Sequence, residues 1–373
     1  MCIRDSDRTV RIWDALIGEE VRQLSGHTAS VLSAAYSSDS QQIVTASDDK
    51  TARVWEAATG KEVLTLRGHT KGVLSAAYNP DGKFMVTASA DQTARIWDAT
   101  TGKEVRQLSG HTASVRSAAY SPDSKFIVTA SDDQTARIWD AATGKEVHQL
   151  TGHTASVGSA AYSPDGKFIV TGSDDKTAFI WNAATGKKVS QLSGHAARVW
   201  SAAYSPNGKQ IVTASDDKTA RIWDVATRQE VRQLRGHTEG VLSAAYSPDG
   251  KQIVTASYDQ TARIWDAATG QKVGQISGHT GSVWSAAYSP DSQHIVTASY
   301  DHTARIWNVS PDQEVRQLRG HSDGVLSATY SPDGKQIVTS STDGTARIWD
   351  AAMEKAVHQL LSLIHISEPT RPY

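Results

Sequence analysis

Cysteine is nearly absent from this sequence: Cys2 is the single one among 373 residues. No internal disulfide is possible, so the fold must hold by packing and hydrogen bonds. Scarce cysteine fits a reducing compartment, and a cytoplasmic chain is the expectation. No apolar run approaches the roughly 20 residues of a membrane span. No secretory signal is legible at the start. Excess charge of either sign is also missing, with 38 Lys+Arg against 40 Asp+Glu and a net charge of −2. Such a balance gives no broad attraction to phosphate backbones or anionic lipid, so neither nucleic acid nor membrane is expected as a partner. Enzyme signatures are missing too. There is no His-Glu-x-x-His, no paired-cysteine spacing, no phosphate-cradling glycine loop and no Gly-x-Ser-x-Gly elbow. A chain without catalytic function, metal or cofactor is expected.

What the sequence has is a repeat. Gly-His occurs at Gly26-His27, Gly68-His69, Gly110-His111, Gly152-His153, Gly194-His195, Gly236-His237, Gly278-His279 and Gly320-His321, a constant step of 42 residues. Tryptophan keeps the same step from Trp13 to Trp349, followed by Asp except at Glu56, Asn182 and Asn308. Within the third unit, Val115–Tyr120, Phe126–Ser131, Thr135–Asp140 and Glu146–Leu150 read as four short strands. Between the first two lies a Ser-Pro-Asp turn, extended by Gly in other units, which suits a tight reversal. A four-stranded sheet cannot bury both faces by itself. Stacking the units radially hides them, which makes an all-β propeller of four-stranded antiparallel blades.

Gly-His, the Ser-Pro-Asp-Gly turn, the hairpin Asp and the Ile-Trp-Asp ending resemble the WD-repeat β-propeller family. The resemblance covers nearly the whole chain and recurs eight times. The uniformity of the units is similar to that of bacterial repeat arrays, which often stand beside an NTPase or kinase domain in signalling proteins. It implies a protein- or peptide-binding scaffold, the sensor or interaction part of a larger signalling chain. The second class to weigh is a small-ligand or glycan-binding propeller. Residues 7–360 form the repeat region: a half-unit at 7–25 and complete units starting at 26, 68, 110, 152, 194, 236, 278 and 320. An eight-bladed ring with a spare N-terminal half-blade is expected, ahead of a seven-bladed ring with overhang or a piece of a longer double propeller.

The flanks, 1–6 and 361–373, do not fit the repeat. MCIRDS can be written ATG TGT ATA AGA GAC AG, whose reverse complement reads Leu-Ser-Leu-Ile-His-Ile, the sequence from Leu361 to Ile366. Both ends therefore read as translated adapter sequence, and the chain between them as a fragment.

Eight in-register histidines suggest metal or acid–base chemistry only at first sight. Each has a matching hairpin acid: Asp49, Asp91, Asp133, Asp175, Asp217, Asp259, Asp301 and Asp343. A catalytic site is single, whereas a structural device is repeated. In the family this His joins the Asp, a strand Ser or Thr and the Trp in a buried hydrogen-bond chain. Whether Thr129 or Ser131 completes it is open at this point. Arg recurs before Ile-Trp. Phe179 replaces it once, without a reason legible in the sequence.

The informative residues escape the repeat. Of 11 Trp, nine sit in the Trp-Asp slot, and Trp200 and Trp284 do not. Each follows the first-strand Val, in a slot that elsewhere reads Leu32, Leu74, Arg116, Gly158, Leu242 and Leu326. Tyr258 and Tyr300 precede the hairpin Asp, a slot that reads Asp48, Ala90, Asp132, Asp174, Asp216 and Thr342 in the other units. These four aromatics fall in units five to seven, with Arg198 two residues before Trp200. Trp, Tyr and Arg are the residues enriched in interface hot spots. Arg198, Trp200, Leu242, Tyr258, Trp284 and Tyr300 are thus the expected partner-binding residues on one rim. Phe84, Phe126 and Phe168, at the start of second strands, form a weaker second candidate on the opposite rim.

Overall fold

The computed structural model describes residues 17–18, 20–309 and 313–351. They form eight four-stranded antiparallel sheets arranged as the blades of a closed ring. Within blade three the strands are Val115–Tyr120, Phe126–Ser131, Ala136–Asp140 and Glu146–Leu150. The third begins one residue later than the sequence suggests. First strands touch their neighbours all round the ring and line a central channel; fourth strands lie outside. The second strand is sandwiched. Ile127, Val128, Thr129, Ala130 and Ser131 are all buried, while Glu146 and Val147 of the fourth strand are exposed. The core therefore lies between blades. One cluster joins Val86, Ile96 and Leu108 of blade two to Val115, Ile127 and Trp139 of blade three.

The residue after the first-strand Val is a β-bulge in every blade. In blade five Val199 pairs with Ser215 and Ser201 with Ala214, leaving Trp200 without a partner position. The same shift isolates Arg116 and Trp284. Bulges re-aim a side chain. Here they turn one residue per blade towards the channel mouth, where Leu32, Leu74, Arg116, Gly158 and Trp200 share a cavity.

Ring closure differs from the expectation in one respect. The ring has eight blades, but the N-terminal half-unit adds no ninth, partial blade among the described residues. Its strand Glu20–Leu24 is the outer strand of blade eight, with Glu20 opposite Trp349 and Leu24 opposite Ala346. That is the register by which Glu146 faces Trp139 and Leu150 faces Ala136 in blade three. The physical reason is Leu24, which is buried with Val31 and Ile43 of blade one and Ile348 of blade eight. Ser30 Oγ donates to Thr342 O at 3.4 Å and Asp333 N–H to Ser40 Oγ at 3.2 Å, joining the same two blades. Ile17–Gly18 adds two residues in parallel to the outer strand of blade seven. Both flanks read as adapter sequence lie outside the described residues.

Candidate functional site

Each blade is pinned by the same four-residue chain. Trp Nε1–H donates to Thr Oγ1 at 2.8–3.0 Å. That hydroxyl meets His Nε2 at 2.7–2.8 Å. His Nδ1 meets the Asp carboxylate at the same 2.7–2.8 Å. A carboxylate only accepts, so Nδ1 carries the proton and Nε2 takes the Thr hydroxyl proton. Thr129 rather than Ser131 completes the chain. Ser131 Oγ instead donates to Ala113 O and accepts the Asp133 N–H. Burial lowers the pKa of His27, His111, His153, His237 and His279, against the pull of their Asp partners. Burial also opposes ionisation of Asp49, but bonds from Thr51 and His27 outweigh it and hold the carboxyl at about 2. These five histidines are thus neutral, and all eight are bonded at both ring nitrogens. Their repetition in all eight blades is the mark of a structural device.

Arg lies over the Gly-His turn. A Cβ on Gly194, whose φ is +157°, would stand 2.5 Å from Arg221 Nη1, so a larger residue there would push the guanidinium aside. In most blades this Arg pairs with a fourth-strand Glu, as Arg95 does with Glu104 at 2.5 Å. Blade four changes both partners. Phe179 stacks on His153 with centroids 3.9 Å apart, and Lys188 Nζ sits 4.2 Å above the Phe179 ring. A cation–π contact replaces the ion pair, which accounts for the outlier at Phe179.

The His–Asp bond ties the Gly-His loop to the hairpin between second and third strands, so both open on one end of the blade. At that end, the expected rim residues meet in sequence round the ring. Asp216 holds the first group. It accepts Trp200 Nε1–H at 2.7 Å on one oxygen and Arg198 Nε–H at 2.6 Å on the other. The Arg198 guanidinium lies 3.8 Å from the centre of the Trp200 ring. Gly240 links this group to the next. A Cβ there would stand 2.5 Å from Asp216 Oδ1 and 3.3 Å from the Tyr258 ring. Tyr258 meets Trp284 edge-on at 5.8 Å, and Trp284 meets Tyr300 edge-on at 5.3 Å. The Tyr300 ring in turn lies across Gly324 of blade eight, where any Cβ would collide with it. Burial, then the Asp216 carboxylate, push the Tyr258 phenol up, with Arg198 opposing. Trp200, Tyr258 and Trp284 are half-buried and Tyr300 is 42% exposed, whereas the eight described Trp-Asp tryptophans, Trp55 to Trp349, stand at 2% or less. The Trp284 Nε1–H is buried and has no acceptor.

Leu242 departs from the expectation: it is only 6% exposed. It is the smaller side chain in a slot that holds Trp on both adjoining blades, and little of it reaches solvent. Sequence reasoning missed Asp216, which reads as an ordinary hairpin acid, and the two glycines. Gly240 and Gly324 stand before the first-strand Val, a slot that holds Ser in four of the eight units and Gly also at Gly72.

Phe126 and Phe168 lie at the other end, on a groove of about 720 Å³ with Pro122, Val147, Tyr162 and Pro164. In three of the four blades with Gln at the same position, the next blade's Tyr uses it: Tyr78, Tyr246 and Tyr288 donate to Gln42, Gln210 and Gln252, whereas Tyr36 next to Gln336 has no partner. Where Phe replaces Gln, the hydroxyls of Tyr120, Tyr162 and Tyr204 are buried without partners. Among the described residues no cluster of His, Cys, Asp or Glu could hold a metal, and no helix is long and apolar enough to cross a membrane.

The comparisons agree with this architecture. Residues 18–56, 60–98, 102–140 and 144–182 match the family described as WD domain, G-beta repeat. Residues 198–358 match the family described as IFT122 first beta-propeller. No curated protein matches the chain. Among solved structures, the crystal structure of Ika8, a computationally designed protein, superposes with a TM-score of 0.81 at 26% identity, covering 89% of this chain and 100% of Ika8. Propellers with this repeat are generally scaffolds that bind protein partners. With eight blades each carrying the repeat's buried hydrogen-bond chain, the protein belongs to the WD-repeat β-propeller family.

Proposed function

We propose that this chain is a non-catalytic protein- or peptide-binding platform, the interaction part of a larger signalling protein. Its binding surface is the rim of blades five to seven. The observation that carries the reading is the unbroken run Arg198–Trp200–Asp216–Tyr258–Trp284–Tyr300. Five of these six residues depart from the commonest type in their slot, and the six are in mutual contact or bridged by Gly240 before any partner arrives. Preorganised aromatic and Arg side chains lose little entropy on binding and supply the strongest interface contacts. Selecting displayed random peptides on the chain tests this. Selected peptides are expected to lose at least tenfold in affinity for Trp284→Ala and Tyr300→Ala. They should be indifferent to Val273→Ala, an exposed outer-strand change on blade six. Peptides that bind all four proteins equally would refute the reading. A glycan that binds and shows the same losses would replace it with the small-ligand alternative.

A further inference from the structure

Beside the aromatic rim, the channel mouth opens into a cavity of about 480 Å³, walled by Leu32, Leu74, Arg116, Gly158, Asp174 and Trp200. On blades three to five, two of the three hairpin acids hold an arginine of their own blade and the exposed third, Asp174, does not, as is also true of Asp48 on blade one. In blade three, Arg116 Nε–H donates to the hairpin carboxylate of Asp132 at 2.8 Å. In blade five, Arg198 Nε–H donates to Asp216 at 2.6 Å. Blade four, between them, has the same hairpin acid in Asp174. At the two positions that supply arginine next door it has Gly158 and Ser156. No cation among the described residues pairs with Asp174. Gly158 is not there for its backbone, because its φ lies outside the left-handed region, and a Cβ would meet only Trp200 O at 3.9 Å. What the glycine provides is room.

We infer that an arginine side chain of a bound peptide fills this gap and completes the row of three Arg–Asp pairs. This rests on the reading of the rim as a peptide-binding surface, and it names what that peptide carries. The guanidinium sits on Asp174 as Arg116 and Arg198 sit on their own acids. The methylene stem lies along the apolar wall of Leu32 and Leu74, which a charged side chain covers while its head stays bonded. Arginine fits better than lysine because its planar fork presents two donors to one carboxylate and packs beside an indole.

The test uses calorimetry with the intact chain and three probes, acetyl-Ala-Xaa-Ala-amide with Xaa as arginine, lysine or citrulline. Citrulline keeps the shape and removes the charge. The arginine probe is expected to bind at least tenfold more tightly than either other probe. Asp174→Asn should abolish that preference. Asp48→Asn, the same charge change at a hairpin acid outside the cavity, should preserve it. Gly158→Arg gives Asp174 a guanidinium from its own blade, as in blade three, and should block the probe while melting no lower than wild type. Equal binding of arginine and citrulline, or a preference that survives Asp174→Asn, overturns the inference. If the arginine probe fails while Trp284→Ala still weakens selected peptides, only the arginine pocket is lost. If the probe behaves as expected while selected peptides ignore Trp284 and Tyr300, the pocket stands and the rim reading falls.

Discussion

A single set of side chains, repeated in every blade, ties each blade together. Trp181, 1% exposed and bonded to Thr171, illustrates the scale. Trp181→Ala is expected to cost about 3–5 kcal/mol, as other buried aromatic truncations do. His153→Ala should cost less, about 1–3 kcal/mol, by leaving Thr171 and Asp175 short of a partner. Urea melts of both variants give the comparison, and a His153 variant of native stability would contradict the structural role. The same chain sets the pH response. Histidines with lowered folded pKa stay neutral in the fold, whereas unfolded histidine takes a proton near 6.5. The unfolded state then binds more protons below that pH, so stability is complete above 6.5 and lost as pH falls through it. Asp49, held at about 2, adds a second loss between 3.8 and 2. The urea midpoint should already drop between pH 7 and pH 5, before carboxylates titrate. A midpoint flat across that range would show that the histidines contribute nothing.

At the scale of strands, coupling between blades is the lesson. Tyr246 donates to Gln210 of the preceding blade, while the Tyr204 hydroxyl faces Phe168 in the equivalent place and is unpaired. Tyr204→Phe should therefore be neutral or stabilising, and Tyr246→Phe should cost about 0.5–1.5 kcal/mol. Equal effects in thermal melts would deny the inter-blade bond. Blade four gives a second coupling. Phe179→Arg alone places a guanidinium beside Lys188. Adding Lys188→Glu restores the ion pair used in most blades, so the double variant should recover most of the loss. Simple additivity would show that the Phe179–Lys188 contact carries no weight. Closure rests on Glu20–Leu24, and deleting residues 1–24 should lower the melting temperature by several degrees. We propose that the flanks at 1–6 and 361–373 are foreign to the fold. Deleting only those should leave the melt unchanged.

For the whole molecule, strand placement and blade number were legible because a 42-residue period repeats without insertion, so every blade checks the others. Closure was not, because segments 20–24 and 356–360 read alike in the sequence; the second lies outside the described residues, and the first is the one seen on blade eight, with Leu24 buried between two blades. The rim aromatics were legible as departures from the repeat. Their mutual contacts were not, since a carboxylate that looks like every other hairpin acid, Asp216, and two permissive glycines do the joining. Leu242 occupies the same slot as Trp200 and Trp284, yet it is buried. The central claim is that this rim is where a partner sits. Amide hydrogen exchange on the chain with and without a saturating selected peptide measures it most directly. Protection confined to segments around 196–202, 256–260, 280–286 and 298–302 is the predicted result. Protection at the Phe126–Phe168 groove of the opposite end, with none on blades five to seven, would contradict it.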